Sequence, residues 1–385
     1  MKKIFITMLA AVAAQASFAQ NPDALKQVMT AEKKSIATNI MKEQEGTMTG
    51  VERALAYNHI VDMAIAENTK EQTKSLTAKD AEEKAKHMEK QYKAAYDAVK
   101  YAELCNVADN EPNEKGQVKP KFKKKNAARI LPMRNDLING GIEAFNSHNY
   151  ANAQKWFAMF VDSHSYDVFS DTPAVATETQ YPDVCYYAAR AAYMNKDYKK
   201  ATKYAEVAFE VGDEEIKKEA LNIQLNGYDG QKTEGIIDGE GLIKKVKKIY
   251  KENPDNDIVF GRYIGVLMDN DKKEEANKVL ANRLKENPND VMANAYLAQN
   301  AQFAGDYDKA IDAYSKALAA KPDFANVKFN LATCYRNKAI DLKNNNQPYK
   351  ELIEKAKALF QEIQTADPNE ENFKTKYILS TIDEL

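Results

Sequence analysis

A 34-residue period in the second half of the chain constrains the fold more than any other feature. Pro254, Pro288 and Pro322 recur at that spacing, as do Leu242, Ala276 and Ala310; four residues after each of the latter stand Val246, Leu280 and Tyr314. Two helices of about twelve residues, a tight turn and a short connection fill such a period. An alanine in the second helix lets the first approach closely, and a large residue four positions later lies on the same face and fills the gap. The proline falls where the second helix stops, since it cannot continue one.

Composition agrees. The 385 residues include only 14 Gly and 11 Pro, which argues against collagen, low complexity and turn-dense all-β folds. The 55 Lys and Arg nearly balance the 57 Asp and Glu, a formal charge of -2. A chain-wide polycation that binds nucleic acid by its field is excluded. Hydrophobic residues at 44% suffice for a core, while 29% charged residues and a mean hydropathy of -0.63 exclude a multi-span membrane protein.

The repeated unit resembles the tetratricopeptide repeat (TPR) family. The best unit has Leu297-Ala298, Ala301, Ala310, Tyr314 and Pro322; its neighbour has Phe260, Tyr263, Leu267, Ala276, Leu280 and Pro288. Another has Leu331-Ala332, Tyr335, Ala356, Phe360 and Pro368. Upstream matches are Gly140-Gly141, Ala144, Ala153 and Phe157, then Ala188-Ala189, Ala192 and Ala201. The inter-helix turn also recurs as Asn149-Tyr150, Asp197-Tyr198 and Asp306-Tyr307, each with Ala three residues after the Tyr. The resemblance implies an all-α fold, a right-handed superhelical solenoid of about six helix pairs over residues 129–385, ending in a capping helix. Spacing departs from the period in three places. From Ala310 to Ala356 it is 46, which predicts two lengthened helices joined at the polar tip Asn344 to Pro348. From Ala153 to Ala201 it is 48, with Asp162 to Pro182 expected as a long exposed loop. From Ala201 to Leu242 it is 41; Gly227, Gly230, Gly235, Gly239 and Gly241 predict an irregular loop and a candidate hinge there.

Residues 1–19 read as a secretory signal peptide: Lys2-Lys3, an apolar run from Ile4 to Ala14, and Ser17-Phe18-Ala19 before a cut ahead of Gln20. No Cys lies near the cut, so an acyl anchor has no attachment atom. The expected location is the periplasm or the medium, and no membrane span is expected. Residues 20–108 form a helical region without repeat marks, with helices expected over Val51 to Asn68 and Thr77 to Cys105; whether they join the array or form a separate bundle is open. Residues 109–128 read as a polar, basic linker. Within it, Lys119 to Lys125 suggests either an anionic partner, nucleic acid or a lipid head group, or a solvated tether; export disfavours nucleic acid, and the tether is the expected reading.

Little in the sequence points to catalysis. The four His, His59, His87, His148 and His164, show no zinc spacing, and no G-x-S-x-G motif occurs. Asp269-Asn270-Asp271 starts like a calcium loop but Lys273 stands where an acidic or amide ligand is needed. No cofactor or metal is expected. Cys105, Cys185 and Cys334 are too far apart for a disulfide framework and read as small core residues, with a single bridge between two of them left open.

By the family resemblance, the first helix of each pair lines a concave groove that takes a peptide or partner helix. Groove-facing positions are Ile138, Ile142 and Phe145, then Tyr186, Arg190 and Tyr193, then Ile258, Met268, Met292, Gln299, Gln302 and Phe303, and last Phe329, Thr333, Arg336 and Asn337. Tyr186, Arg190, Tyr193, Met292, Gln299, Phe303, Phe329 and Arg336 are the candidate partner-binding residues. Family members that clamp a C-terminal carboxylate use Lys and Asn at positions held here by Ile138 and Ile142, or Gly261 and Gly265, so that mode is excluded. The expected function is a non-enzymatic interaction scaffold of the cell envelope, binding an envelope protein or peptide and no nucleic acid. The alternative is an exported glycan- or ligand-capture protein, for which Trp156 would be the stacking residue.

Overall fold

The structure is a computed structural model describing residues 21–382 and 384. The expected signal peptide lies outside the described residues. The described residues form nineteen α-helices and two short 3-10 helices, with no strand among them. They divide into two compact units between Gln231 and Lys232, a division that falls inside the segment read as one array.

The first unit opens with Pro22–Met29 (α1) and Lys34–Gln44 (α2), packed beside two long antiparallel helices, Gly50–Leu76 (α3) and Ala81–Asp109 (α4). Helix α3 runs eight residues past the expected end at Asn68, and α4 is shifted four residues along the chain from the expected Thr77 to Cys105. Thr49 and Glu52 cap α3 reciprocally, and Asp80 accepts from the Glu83 N–H at the start of α4. Ala54, Ala64, Ala95, Ala98 and Ala102 are buried and line the close approach of the two helices.

Lys123–Ile130 (α5), Met133–Asn146 (α6) and Tyr150–Ser163 (α7) follow, then Pro173–Ala176 (α8), Tyr181–Met194 (α9), Tyr198–Val211 (α10) and Glu214–Thr233 (α11). The N-terminal helices continue the stack: α4 packs on α6 and α7. One apolar cluster runs from Val61 through Phe157 to Ala220. Asp136 on α6 ties the junction, accepting from Asn68 Nδ2 at 2.8 Å and Gln91 Nε2 at 2.9 Å.

Three expectations need correction here. The stretch read as a linker to residue 128 ends earlier, because α5 begins at Lys123 and buries Asn126 and Ala127. The segment Asp162 to Pro182 is no exposed loop: Val168, Phe169 and Val175 are buried in the core. Glu103 on α4 accepts the backbone N–H groups of Asp167 and Val168, and Glu178 pairs with Arg134, partners too distant in sequence for local pattern to reveal. The glycine-rich stretch is mostly helix. Gly227 and Gly230 lie inside α11, where a Cβ would come within 2.7 Å of Thr202 and 2.6 Å of the Tyr198 ring, so they serve close packing on α10. Gly235 supplies the left-handed turn after α11 (φ 69°).

The second unit holds Gly239–Glu252 (α12), Asp257–Asp269 (α13), Lys273–Glu286 (α14), Val291–Phe303 (α15), Tyr307–Ala320 (α16), Ala325–Asn344 (α17), Lys350–Ala366 (α18) and Thr375–Ile382 (α19). Each helix packs on the next along the chain. Ala276, Leu280, Ala310, Tyr314, Ala356 and Phe360, all on the predicted tracks, are buried. The lengthened pair is present: α17 has 20 residues and α18 has 17, against 13 in α15 and 14 in α16.

The turn inside each pair is the same object five times. His148, Lys196, Asp271, Gly305 and Asn346 all adopt left-handed φ, between 56° and 75°. The next residue's N–H then bonds the carbonyl five back, as in Asn149 to Ala144 (2.8 Å), Asp197 to Ala192 (2.9 Å) and Asp306 to Ala301 (2.9 Å). Lys272 to Leu267 and Gln347 to Leu342 repeat it at 2.8 Å. This Schellman closure satisfies the last carbonyls of the first helix. In three of the pairs the next residue then caps the second helix: Asn149, Asp197 and Asp306 accept from the N–H three residues on. Five helix pairs of the described chain are thus TPR-like.

Candidate partner-binding surface

In the first unit, helical spacing sets two stripes side by side. On α6, Ile138, Ile142 and Phe145 are spaced by four and three; on α9, Tyr186, Arg190 and Tyr193 repeat that spacing. The opposite side of α9 buries Val184, Cys185, Ala188, Ala189 and Ala192. Gly141 lets the Phe157 ring seat against α6, for a Cβ there would lie 2.3 Å from it.

The result is an open aromatic row. The Phe145 ring meets Tyr150 edge-on at 5.4 Å and Tyr187 at 6.2 Å. Tyr187 in turn stacks on buried Phe157 at 5.9 Å and leans on Tyr186 at 5.3 Å. Arg190 is exposed and holds its guanidinium 5.2 Å from the Phe145 ring centre, a cation–π contact. No carboxylate pairs with it among the described residues. His148 Nδ1 lies 2.8 Å from the Tyr150 hydroxyl at the turn. Ile142, Tyr187 (38% exposed) and Met194 face solvent.

Tyr193 instead packs edge-on against Tyr198 at 5.7 Å, half-buried across its own inter-helix turn. Tyr187 and Tyr150 are the members that helix-face reasoning missed. Tyr187 lies one residue off the predicted stripe, yet the aromatic pair Tyr186-Tyr187 was the available signal.

In the second unit, Met292 and Gln299 are half-buried on α15, and Phe303 at its end is 80% exposed. Gln302 accepts from the Tyr314 hydroxyl at 2.9 Å, so its amide is engaged in joining α15 to α16. Phe329 stacks on Phe373 at 5.2 Å and meets Phe360 edge-on at 5.5 Å, which places its ring in the packing of α17 on α18. Arg336 is half-buried, and its Nε finds no hydrogen-bond partner among the described residues. Three candidate residues thus belong to the first unit and five to the second.

Trp156, the residue a sugar-stacking role would need, is only 3% exposed; Tyr96 meets it edge-on at 5.7 Å and the Lys155 ammonium lies 4.4 Å from it. The three cysteines are free and buried, and burial pushes each thiol up to about 12. No group of three or more His, Cys, Asp or Glu side chains among the described residues could hold a metal ion. No described helix is long and apolar enough to cross a membrane.

No model of a known protein family matches the chain, and no curated protein sequence does. Solved structures with similarity to it include a TPR-repeat protein of Bacteroides fragilis, at 18% identity and a TM-score of 0.32 over 65% of this chain and 98% of that one. Yeast Tom70 is similar at 14% identity and a TM-score of 0.40, over 94% and 86% of the two chains. The TPR domain of P58(IPK) is similar at 14% identity and a TM-score of 0.23, over 79% and 97%.

Proposed function

We propose that the protein is a non-enzymatic interaction scaffold of the cell envelope that holds a partner polypeptide on the helix face carrying Phe145, Tyr187 and Arg190. The observation that carries this reading is the half-buried aromatic row, with Tyr187 38% exposed, beside the Arg190 guanidinium, which pairs with no carboxylate among the described residues. Exposed apolar surface of this kind marks interaction sites. Aromatic and Arg side chains supply most of the binding energy where such sites are occupied. The complementary ligand is an extended peptide with an apolar side chain for the row and a carboxylate for Arg190. Placement in the envelope rests on the pattern of residues 1–19.

The test is selection of a displayed random peptide library on the immobilised protein. Enriched sequences should combine aromatic or aliphatic residues with Asp or Glu. A synthetic peptide of the enriched sequence should lose about thirtyfold or more in affinity to Tyr187→Ala with Arg190→Ala, since roughly 2 kcal/mol or more is at stake. Because Tyr187 also stacks on Phe157, the thermal midpoint of the double variant should fall modestly, and affinity is compared well below it. Failure to enrich any sequence, or undiminished affinity of the double variant, would sink the assignment.

A further inference from the structure

The connection between α4 and α5 is held firmly yet presents a row of unpaired cations. Gly116, in left-handed conformation, closes a turn through its N–H to the Asn113 carbonyl at 2.7 Å; Asn113 N–H bonds Gln117 at 2.9 Å. At the other end, Asp109 Oδ2 accepts the backbone N–H of Phe122 at 2.8 Å and that of Lys121. The Phe122 ring packs on the core of α1 to α4. Lys123 is neutralised by Asp167 at 3.3 Å and Asp171 at 3.1 Å.

Lys115, Lys119, Lys121, Lys124 and Lys125 are exposed and have no ion-pair or side-chain hydrogen-bond partner among the described residues. Glu114 is the only carboxylate between residues 112 and 125. Among these lysines stands Val118, 50% exposed. The chain as a whole carries a formal charge of -2, so the positive field here is local.

We propose that this connection docks the protein on a bilayer surface rich in anionic phospholipid. Such a surface asks for several lysines within one Debye length and a shallow apolar side chain, and makes no demand for directed hydrogen bonds. Single-stranded nucleic acid would ask for an aromatic face on which to stack, and the only aromatic ring here, Phe122, is committed to the core. The backbone N–H groups of Lys121 and Phe122 are taken by Asp109. The inference is independent of the peptide-binding face.

The experiment is co-sedimentation of the protein with vesicles of pure phosphatidylcholine, or of phosphatidylcholine with about a third phosphatidylglycerol. Binding should require the anionic lipid and fall steeply with added salt. Lys119→Glu with Lys121→Glu and Lys124→Glu should weaken partition at least a hundredfold, each lysine near the surface being worth roughly fivefold or more. The triple variant's thermal midpoint should match wild type, since these side chains are exposed and form no ion pair or side-chain hydrogen bond among the described residues. A control with the same change in net charge, Lys251→Glu with Lys285→Glu and Lys309→Glu, should keep most of the binding. Equal sedimentation with both vesicle types, equal loss in the control, or retention of a single-stranded oligonucleotide without vesicle binding would each overturn the proposal.

Discussion

Arg134 and Glu178, on α6 and in the segment before α9, form a two-pronged ion pair inside the first unit: Nε to Oε1 at 2.7 Å and Nη2 to Oε2 at 2.5 Å. Arg134 is only 1% exposed. Its guanidinium lies 4.2 Å from the Phe160 ring centre and also donates to Ser163 and to the Phe160 carbonyl. Together with the Glu103 bonds and the buried Val168, Phe169 and Val175, the pair fastens the segment 164–180 to the array. Glu178→Ala should therefore leave an uncompensated buried charge and destabilise by roughly 3–5 kcal/mol, read from urea midpoints. Breaking the exposed Lys316–Asp312 pair by Lys316→Ala should cost under about 1 kcal/mol. Equal losses in the two variants would show that the segment is not held by this pair.

The same pair gives the protein an acid sensitivity with a defined sign. Burial pushes the Glu178 carboxyl up, but the neighbouring His164 and the Arg134 guanidinium outweigh it and hold its pKa below the ordinary 4.5. A carboxylate depressed on folding contributes fully above its unfolded pKa, and the contribution is lost as pH falls through the folded value. The gap in urea midpoint between wild type and Glu178→Gln should be constant above about pH 5.5 and narrow progressively as pH falls below the ordinary 4.5 toward the depressed folded value. A gap unchanged at pH 3 would remove the ion pair from the account of acid unfolding.

What the sequence disclosed and what it hid divide along the range of the interactions. The tracks through Ala276, Ala310 and Ala356 were legible because each records a contact within one helix pair, repeated at a fixed spacing. The tip between α17 and α18 was legible for the same reason. Arg134–Glu178 and Glu103 with the Asp167 and Val168 N–H groups were not, because they span 44 and about 65 residues and occur once. Gly227 and Gly230 misled because a glycine needed for close approach looks, in sequence, like one needed for a loop. At the candidate surface, stripe spacing located Phe145 and Arg190, whose cation–π contact the structure shows. Phe329 occupies a groove-type position by register yet packs on Phe373, which lies in the irregular stretch before α19, where no repeat pattern reaches.

The repeat register itself is open to a direct test at two adjacent positions. Ala310 on α16 is wholly buried in a cluster with residues of α15 and α17, while Lys309 is exposed. Ala310→Leu forces three extra carbons into a filled space and should destabilise by roughly 1–3 kcal/mol. Lys309→Leu should stay within about 0.5 kcal/mol of wild type. Denaturant midpoints decide the matter. Tolerance of Leu at 310 would mean that the tracks do not mark the closest approach of the helices.

The recurrent inter-helix turn predicts opposite outcomes for exchanging the same kind of residue in two repeats. Lys196 and Gly305 occupy the equivalent left-handed position, at φ 60° and 75°. A side chain there brings Cβ against the carbonyl oxygen, costing roughly 1–2 kcal/mol, whereas glycine carries no such cost. No heavy atom lies within 4 Å of a Cβ built on Gly305, so Gly305→Ala isolates the backbone contribution and should destabilise by about 1 kcal/mol. Lys196→Gly relieves the same strain but gives the unfolded chain more freedom, worth roughly 0.5–1 kcal/mol, so it should be neutral or stabilise by up to about 1 kcal/mol. Thermal midpoints of the two variants, each against wild type, give the comparison. A loss in Lys196→Gly as large as that in Gly305→Ala would mean that the two turns do not share one backbone geometry, and that the Lys196 side chain makes a contribution its exposure does not account for.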